Sequence, residues 1–95
     1  MYNLTPKQFT NISATTAAFV LPAGQYGITV NGTWNSTGTA TLQRLGADGS
    51  TYVTCVTAFS ADGYATANMP AGTYKIAVAT ATAVYIDISP IVATL

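Results

Sequence analysis

Histidine and glutamate are absent from this 95-residue chain, and charged residues make up only 6% of it, against about 25% in an ordinary soluble domain. Without histidine, neither a Ser-His-Asp nor a Cys-His arrangement can be assembled, and a zinc site would lack its commonest nitrogen ligand. The three cations, Lys7, Arg44 and Lys75, are scattered. They form no basic stripe to neutralise phosphates and no cluster to hold an anionic bilayer, so nucleic acid and membrane are not expected as partners. The carboxylates are Asp48, Asp62 and Asp87, and the first two precede glycine in turn sequences. That leaves no spare acid and base pair for glycoside hydrolysis. No catalytic, metal or cofactor site is expected, and the chain reads as a non-enzyme. Cys55 is the only cysteine, which excludes an intrachain disulfide and fits intracellular synthesis. Uninterrupted apolar runs of about 18 residues, the length of a spanning helix, are also missing. The longest apolar-rich stretch, Ile76 to Ile88, is broken by Thr80, Thr82 and Asp87. The opening Met-Tyr-Asn-Leu-Thr-Pro-Lys lacks the basic segment and apolar core of a secretory signal, and none is expected.

What is present points to strands. Hydrophobic residues make up 49% of the chain, rich in threonine, alanine, valine, isoleucine and tyrosine, a composition suited to pleated, half-buried surfaces. Tyr26-Gly27-Ile28-Thr29-Val30-Asn31 alternates apolar and polar residues with the period of a strand that is covered on one face. Thr39 to Leu45 alternates in the same way, with Ala40, Leu42 and Arg44 on one parity. Thr51 to Phe59, dense in β-branched and aromatic residues, reads as a strand buried on both sides. Tyr64 to Asn68 is a weaker strand, and Tyr74 to Val78 and Val84 to Ile88 complete the set, with Pro90 as the stop. Turn sequences separate them: Pro22-Ala23-Gly24, Gly46-Ala47-Asp48-Gly49, Ser60-Ala61-Asp62-Gly63 and Met69-Pro70-Ala71-Gly72. In the Pro22-Ala23-Gly24 turn, proline fixes φ and is followed by a glycine free to take positive φ. One nine-residue pattern occurs twice, Pro22 to Val30 and Pro70 to Val78, offset by 48 residues. It reads as two equivalent turn-plus-strand corners in the two halves of a sandwich. About seven to eight short strands with turns every 8 to 12 residues imply an all-β fold, a single antiparallel β-sandwich of jelly-roll-like topology.

Individual residues follow from their setting. Cys55, central in the stretch read as doubly buried, is expected to be core filler. Asp48 and Asp62 are expected to accept hydrogen bonds from the backbone that follows them in their turns. Asp87 interrupts a strand on the parity opposite Val84, Ile86 and Ile88, so it faces solvent or a neighbour, with Arg44 or Lys75 as partners to consider. Trp34 sits between Asn-Gly-Thr and Asn-Ser-Thr-Gly at a strand end. It either caps the open end of the core, anchors a protein partner or stacks on a sugar. The tyrosines at 26, 52, 74 and 85 fall in strands as core or cross-strand pairs. The Asn-x-Ser/Thr triplets beginning at Asn3, Asn11, Asn31 and Asn35 are accidents of a Thr- and Asn-rich chain.

The ends differ from the middle. Residues 1–16 carry Tyr2, Leu4, Phe9 and Ile12 without the alternation that would place them in the core, and are expected to form an arm ordered by a neighbour. Residues 17–91 form the sandwich. Residues 92–95 form a tail, and Ile91, Val92 and Leu95 are apolar where solvation would favour charge. With Trp34, these eight residues are the expected partner contacts. On this reading, deletion of residues 1–12 leaves a soluble fold and weakens assembly.

The order of Pro-Ala-Gly-x-Tyr, Gly-Thr-x-x-Leu-Gln, Asp-Gly-Ser-x-Tyr-Val, Pro-Ala-Gly-Thr-Tyr-Lys and Val-Tyr-Ile-Asp-Ile-Ser-Pro-Ile, from Leu21 to Ile91, resembles small all-β virion structural proteins of tailed bacteriophages. The resemblance implies a capsid decoration or cement protein made in the host cytoplasm. It implies placement on the capsid exterior as a homotrimer, bridging subunits of the major capsid protein. Near-zero net charge, which favours association, agrees with life inside an assembly. The alternative is a glycan- or receptor-binding module of a phage fibre or tail, favoured if Trp34 and exposed tyrosines share one face.

Overall fold

The computed structural model describes residues 6–91, and they form eight strands: β1 (Lys7–Ile12), β2 (Phe19–Leu21), β3 (Gly24–Thr33), β4 (Thr39–Leu45), β5 (Tyr52–Thr54), β6 (Gly63–Met69), β7 (Gly72–Ala79) and β8 (Thr82–Pro90). Strands of alternating character need a partner for their apolar side, and two four-stranded sheets supply it, ordered β1-β8-β3-β6 and β2-β7-β4-β5. The antiparallel pairs β1·β8, β2·β7, β3·β6 and β4·β5 are nested one inside the next, and β3·β8 and β4·β7 join the nested ribbons side by side. A long antiparallel ribbon rolled up in this way is a jelly roll.

The inner faces carry the alternation read from the sequence. Ile28 and Val30 on β3, Ile86 and Ile88 on β8, Leu42 on β4 and Ile76 on β7 are buried, while Thr29 and Asn31 point outward. Among the described residues no polar or charged residue is buried. The void between the sheets, lined by Ile28, Leu42, Phe59, Ile76 and Ile88, is ≈ 10 Å³. This is the bare minimum for one water, so the interior has no room for a ligand.

The repeated nine-residue pattern forms matching corners. Tyr26 donates its hydroxyl proton to the Pro22 carbonyl and Tyr74 donates to the Pro70 carbonyl, each at 2.5 Å. One corner opens β3 in the first sheet and the other opens β7 in the second. Burial pushes the pKa of both phenols up, so both remain donors at neutral pH. Gly24 and Gly72 do not use the freedom of positive φ; among the described glycines only Gly49 does (φ 77°). A Cβ at Gly72 would lie 2.9 Å from Arg44 Nη2, so the guanidinium end of Arg44 would have to move to admit one. That nitrogen donates to the Ala71 carbonyl at 2.9 Å and ties β4 to the corner.

Two expectations are corrected. The Thr51 to Phe59 stretch is not a doubly buried strand. Only Tyr52–Thr54 forms a strand, at the free edge of its sheet, and Val53 is 58% exposed. An edge strand has one neighbour, so nothing among the described residues pairs with its far side; the rest of the stretch is bonded to β4 from Cys55 N to Leu42 O and at the Ala40–Phe59 bridge, with Val56 and Phe59 half-buried against the core. The second correction concerns the arm. Residues 7–12 are β1, paired with β8 from Lys7↔Ile88 to Ile12↔Val84 around an irregularity at Asn11 (φ 53°). Phe9 and Ile12 pack against the core, and the Phe9 and Phe19 rings meet at 5.0 Å to close that side of the sandwich. The hydroxyls of Thr15 and Thr16 then accept from the Val78 and Ile76 amides. The missing alternation was that of a bulged edge strand, in which the bulge changes parity partway along.

Two stability outcomes follow. Tyr26→Phe and Tyr74→Phe should each cost about 1 kcal/mol in urea unfolding, and because the two phenols lie close enough for each to feel the other's charge, the double variant should depart from the sum. Deletion of residues 1–12 should cost at least about 3 kcal/mol, the scale of losing a packed phenylalanine, and shift the urea midpoint to match. A midpoint equal to that of the full chain would show β1 to be dispensable.

Candidate functional site

With the interior closed, any recognition must use the ends, edges or outer faces. At one end, both limits of the described chain emerge together, because Lys7 lies opposite Ile88 and Pro90 lies opposite Tyr26. Both Pro-Ala-Gly corners lie at this end as well. A hollow of ≈ 150 Å³ is lined there by Pro6, Lys7, Val20, Leu21, Pro22, Tyr26 and Pro90. Val20 is 73% exposed and Ile91, whose amide donates to the Gln25 carbonyl, is 39% exposed. Lys7 does not project as a charge into the hollow's surroundings unattended: its Nζ lies 5.4 Å and 5.6 Å from the ring centroids of Phe9 and Phe19. The prolines stiffen this end and leave its surface mostly apolar.

At the opposite end, Trp34 follows β3 and is half-buried against the core. Its indole Nε1 donates to Asp62 Oδ1 at 2.9 Å, and the same oxygen accepts from the Gly32 amide at 3.0 Å. Asp62 therefore bonds across to another loop, not to the backbone that follows it as expected. The indole bond first, and the amide second, hold its pKa below the ordinary carboxylate value. Asn35 Nδ2 donates to the carbonyl of Thr80, which holds a positive φ of 64° in the turn before β8. Asp48 does act within its own turn, accepting from the Thr51 hydroxyl and from the amides of Ser50 and Thr51. These bonds, the hydroxyl foremost, lower its pKa to about 2.

Cys55 is exposed and is not core filler; its Sγ donates to the Leu42 carbonyl at 3.3 Å. Desolvation nonetheless raises its pKa, which keeps it the protonated thiol at neutral pH. Asp87 pairs with neither Arg44 nor Lys75, which belong to the other sheet. It accepts instead from Gln8 Nε2 at 2.8 Å and from the Ser89 hydroxyl at 2.5 Å. Among the described residues no three His, Cys, Asp or Glu side chains gather where they would hold a metal ion.

Of the expected contact residues, Phe9, Ile12 and Trp34 are packed against the core, Ile91 is exposed at the chain-end surface, and Tyr2, Leu4, Val92 and Leu95 lie outside the described residues. No protein family, curated protein or solved structure matches this chain. Sequence reading passed over Val20 and Tyr64, both strongly exposed. For Tyr64 a signal existed in the outward-facing Gly27 of the neighbouring strand, where a Cβ would lie 2.7 Å from the Tyr64 hydroxyl oxygen.

Trp34 is the only tryptophan, so its fluorescence reports the Asp62 contact directly. A carboxylate with a lowered pKa in the folded state gives stability that is complete above the unfolded pKa and is lost as pH falls through the folded one. The emission of Trp34 should therefore hold steady on acidification down to the ordinary carboxylate range and shift only below it. Asp62→Ala should show the shifted emission already at pH 7, with a lower Tm. Unchanged emission in Asp62→Ala would show that the bond does not position the indole.

Proposed function

We propose that this chain is a structural, non-enzymatic virion protein, a capsid decoration or cement module on the head exterior. It bridges subunits of the major capsid protein and acts as a homotrimer. The observation that carries this reading is the convergence of both limits of the described chain on one proline-lined end, where Val20 stands exposed at a hollow and Ile91, next in sequence to the hollow-lining Pro90, is exposed as well. Large apolar side chains exposed at one end of a molecule are the chemistry of a contact surface. The rest of the molecule supports a structural role. The interior admits no ligand, Asp48 and Asp62 are engaged in holding loops, and the jelly roll is an architecture that capsid and lectin domains share. Contacts of modest strength suffice on a symmetric shell, because a trimer engaging several sites at once binds far more tightly than one arm alone.

Light scattering coupled to size exclusion tests this, with the protein run alone and then with empty heads of the virus that encodes it. The expected outcome is a trimer that co-migrates with heads. Val20→Asp and Ile91→Asp should abolish co-migration at unchanged Tm, because substitution of such exposed side chains alters stability by no more than about 0.5 kcal/mol. A monomer indifferent to heads, or variants that bind as the parent does, would overturn the reading.

A further inference from the structure

The outer face of the β1-β8-β3-β6 sheet has a chemistry of its own. Strand register sets Gln8, Asp87, Thr29 and Tyr64 in one row across the four strands, since Gln8 lies opposite Asp87, Asp87 opposite Thr29, and Thr29 opposite Tyr64. Tyr85 stands opposite Asn31 one step along. Tyr64 is 62% exposed and Tyr85 41% exposed. The ring of Tyr64 lies over Gly27, with the hydroxyl oxygen 2.7 Å from the place a Cβ would take. Glycine at that position lets the ring lie against the sheet with one face toward solvent. Between the strands runs a groove of ≈ 180 Å³, lined by Gln8, Thr10, Thr29, Asn31, Tyr85 and Asp87.

Asp87 is the only ionised group on this face among the described residues. Each of its oxygens already accepts one hydrogen bond, from Gln8 and from Ser89. A carboxylate has about four acceptor sites, so two remain, on a group whose orientation is fixed. The amides of Asn31 and Gln8 bring both donors and acceptors. The opposite outer face is different, for there Lys75 Nζ covers the Tyr52 ring at 4.2 Å. On the β1-β8-β3-β6 face, no cation among the described residues lies over either tyrosine.

Aromatic rings with a free face, fixed hydrogen-bonding groups between them and no positive charge match one class of ligand. A sugar presents a C–H face that stacks on a ring and a rim of hydroxyls that amides and a carboxylate bind, whereas an anionic ligand would meet only Asp87. We propose that this face binds a neutral oligosaccharide, stacking on Tyr64 and Tyr85 and held by Asp87, Asn31 and Gln8. Adjacent strands are about 4.8 Å apart, so the two tyrosines, on strands either side of β3, are roughly 10 Å apart across the sheet and about 7 Å along it. That span exceeds a single sugar ring and calls for several linked units. The site stands apart from the chain-end surface and does not depend on the virion reading.

Isothermal titration calorimetry of the full chain with maltohexaose, cellohexaose, xylohexaose and mannohexaose tests the proposal, with hexagalacturonate as the charged control. The expected result is saturable binding of at least one neutral hexasaccharide and none of hexagalacturonate. Tyr64→Ala and Tyr85→Ala should each weaken that binding at least tenfold, and Asp87→Asn severalfold, at unchanged circular dichroism. Tyr64→Phe keeps the ring and should bind nearly as the parent does, which separates loss of stacking from loss of fold. Absence of binding to all four neutral sugars, or equal binding by the alanine variants, would overturn the proposal. So would a change of oligomeric state in the alanine variants without any sugar binding, which would assign the face to a protein contact.

Discussion

Every other feature of this molecule depends on one apolar layer, a side chain deep from each side, pressed between two four-stranded sheets about 10 Å apart. Isoleucine, valine, leucine and alanine fill it with Phe19, Met69 and two tyrosines, and no polar residue among those described is buried with them. A chain of this length has only enough apolar surface for one such layer. Filling it leaves the interior closed and sends all polar chemistry to the turns, edges and outer faces. Recognition is then a property of the surface alone.

The few polar anchors are used locally. Tyr26 and Tyr74 bring the ends of their rings back to proline carbonyls and fix the angle at which β3 and β7 enter the sheets. Arg44 reaches the second corner through the space Gly72 leaves open. Asp48 binds its own turn, and Asp62 joins two loops by accepting from Trp34 and Gly32. With Arg44, Asp48 and Asp62 so engaged, and Lys7 and Lys75 each against aromatic rings, the scarcity of charge reads as economy: most ions hold a loop or cover a ring, and Asp87 alone is left among polar neighbours on its face.

The proposed contact surfaces are geometrically independent. The chain-end surface caps the sandwich along the strand direction, while the Tyr64 and Tyr85 face lies on the broad side of one sheet. A molecule docked by its end keeps that broad side open to solvent, so attachment to a shell and display of a second surface do not compete for the same residues.

Much of the architecture was legible in order: the alternation in Tyr26 to Asn31, Val84 to Ile88 and Thr39 to Leu45 gave strands and their inward faces, and the duplicated Pro-Ala-Gly-x-Tyr pattern gave two matching corners. These are local signals, since side-chain parity and turn chemistry act over a few residues. Where an element's fate hung on which neighbours it acquired, the sequence misled. Thr51 to Phe59 has the composition of a central strand but lies at an edge, Phe9 and Ile12 look unplaced until β8 pairs with a bulged β1, and Cys55 is exposed. The contact between Trp34 and Asp62, 28 residues apart, and the lie of Tyr64 over Gly27 exist only because β3 and β6 are adjacent. The sequence by itself determined the strands, the turns and which side of most strands is apolar, because those depend on period and on local φ. Only the tertiary structure decided which strand has one neighbour and which has two, and with that which side chains are covered and which stand free to bind.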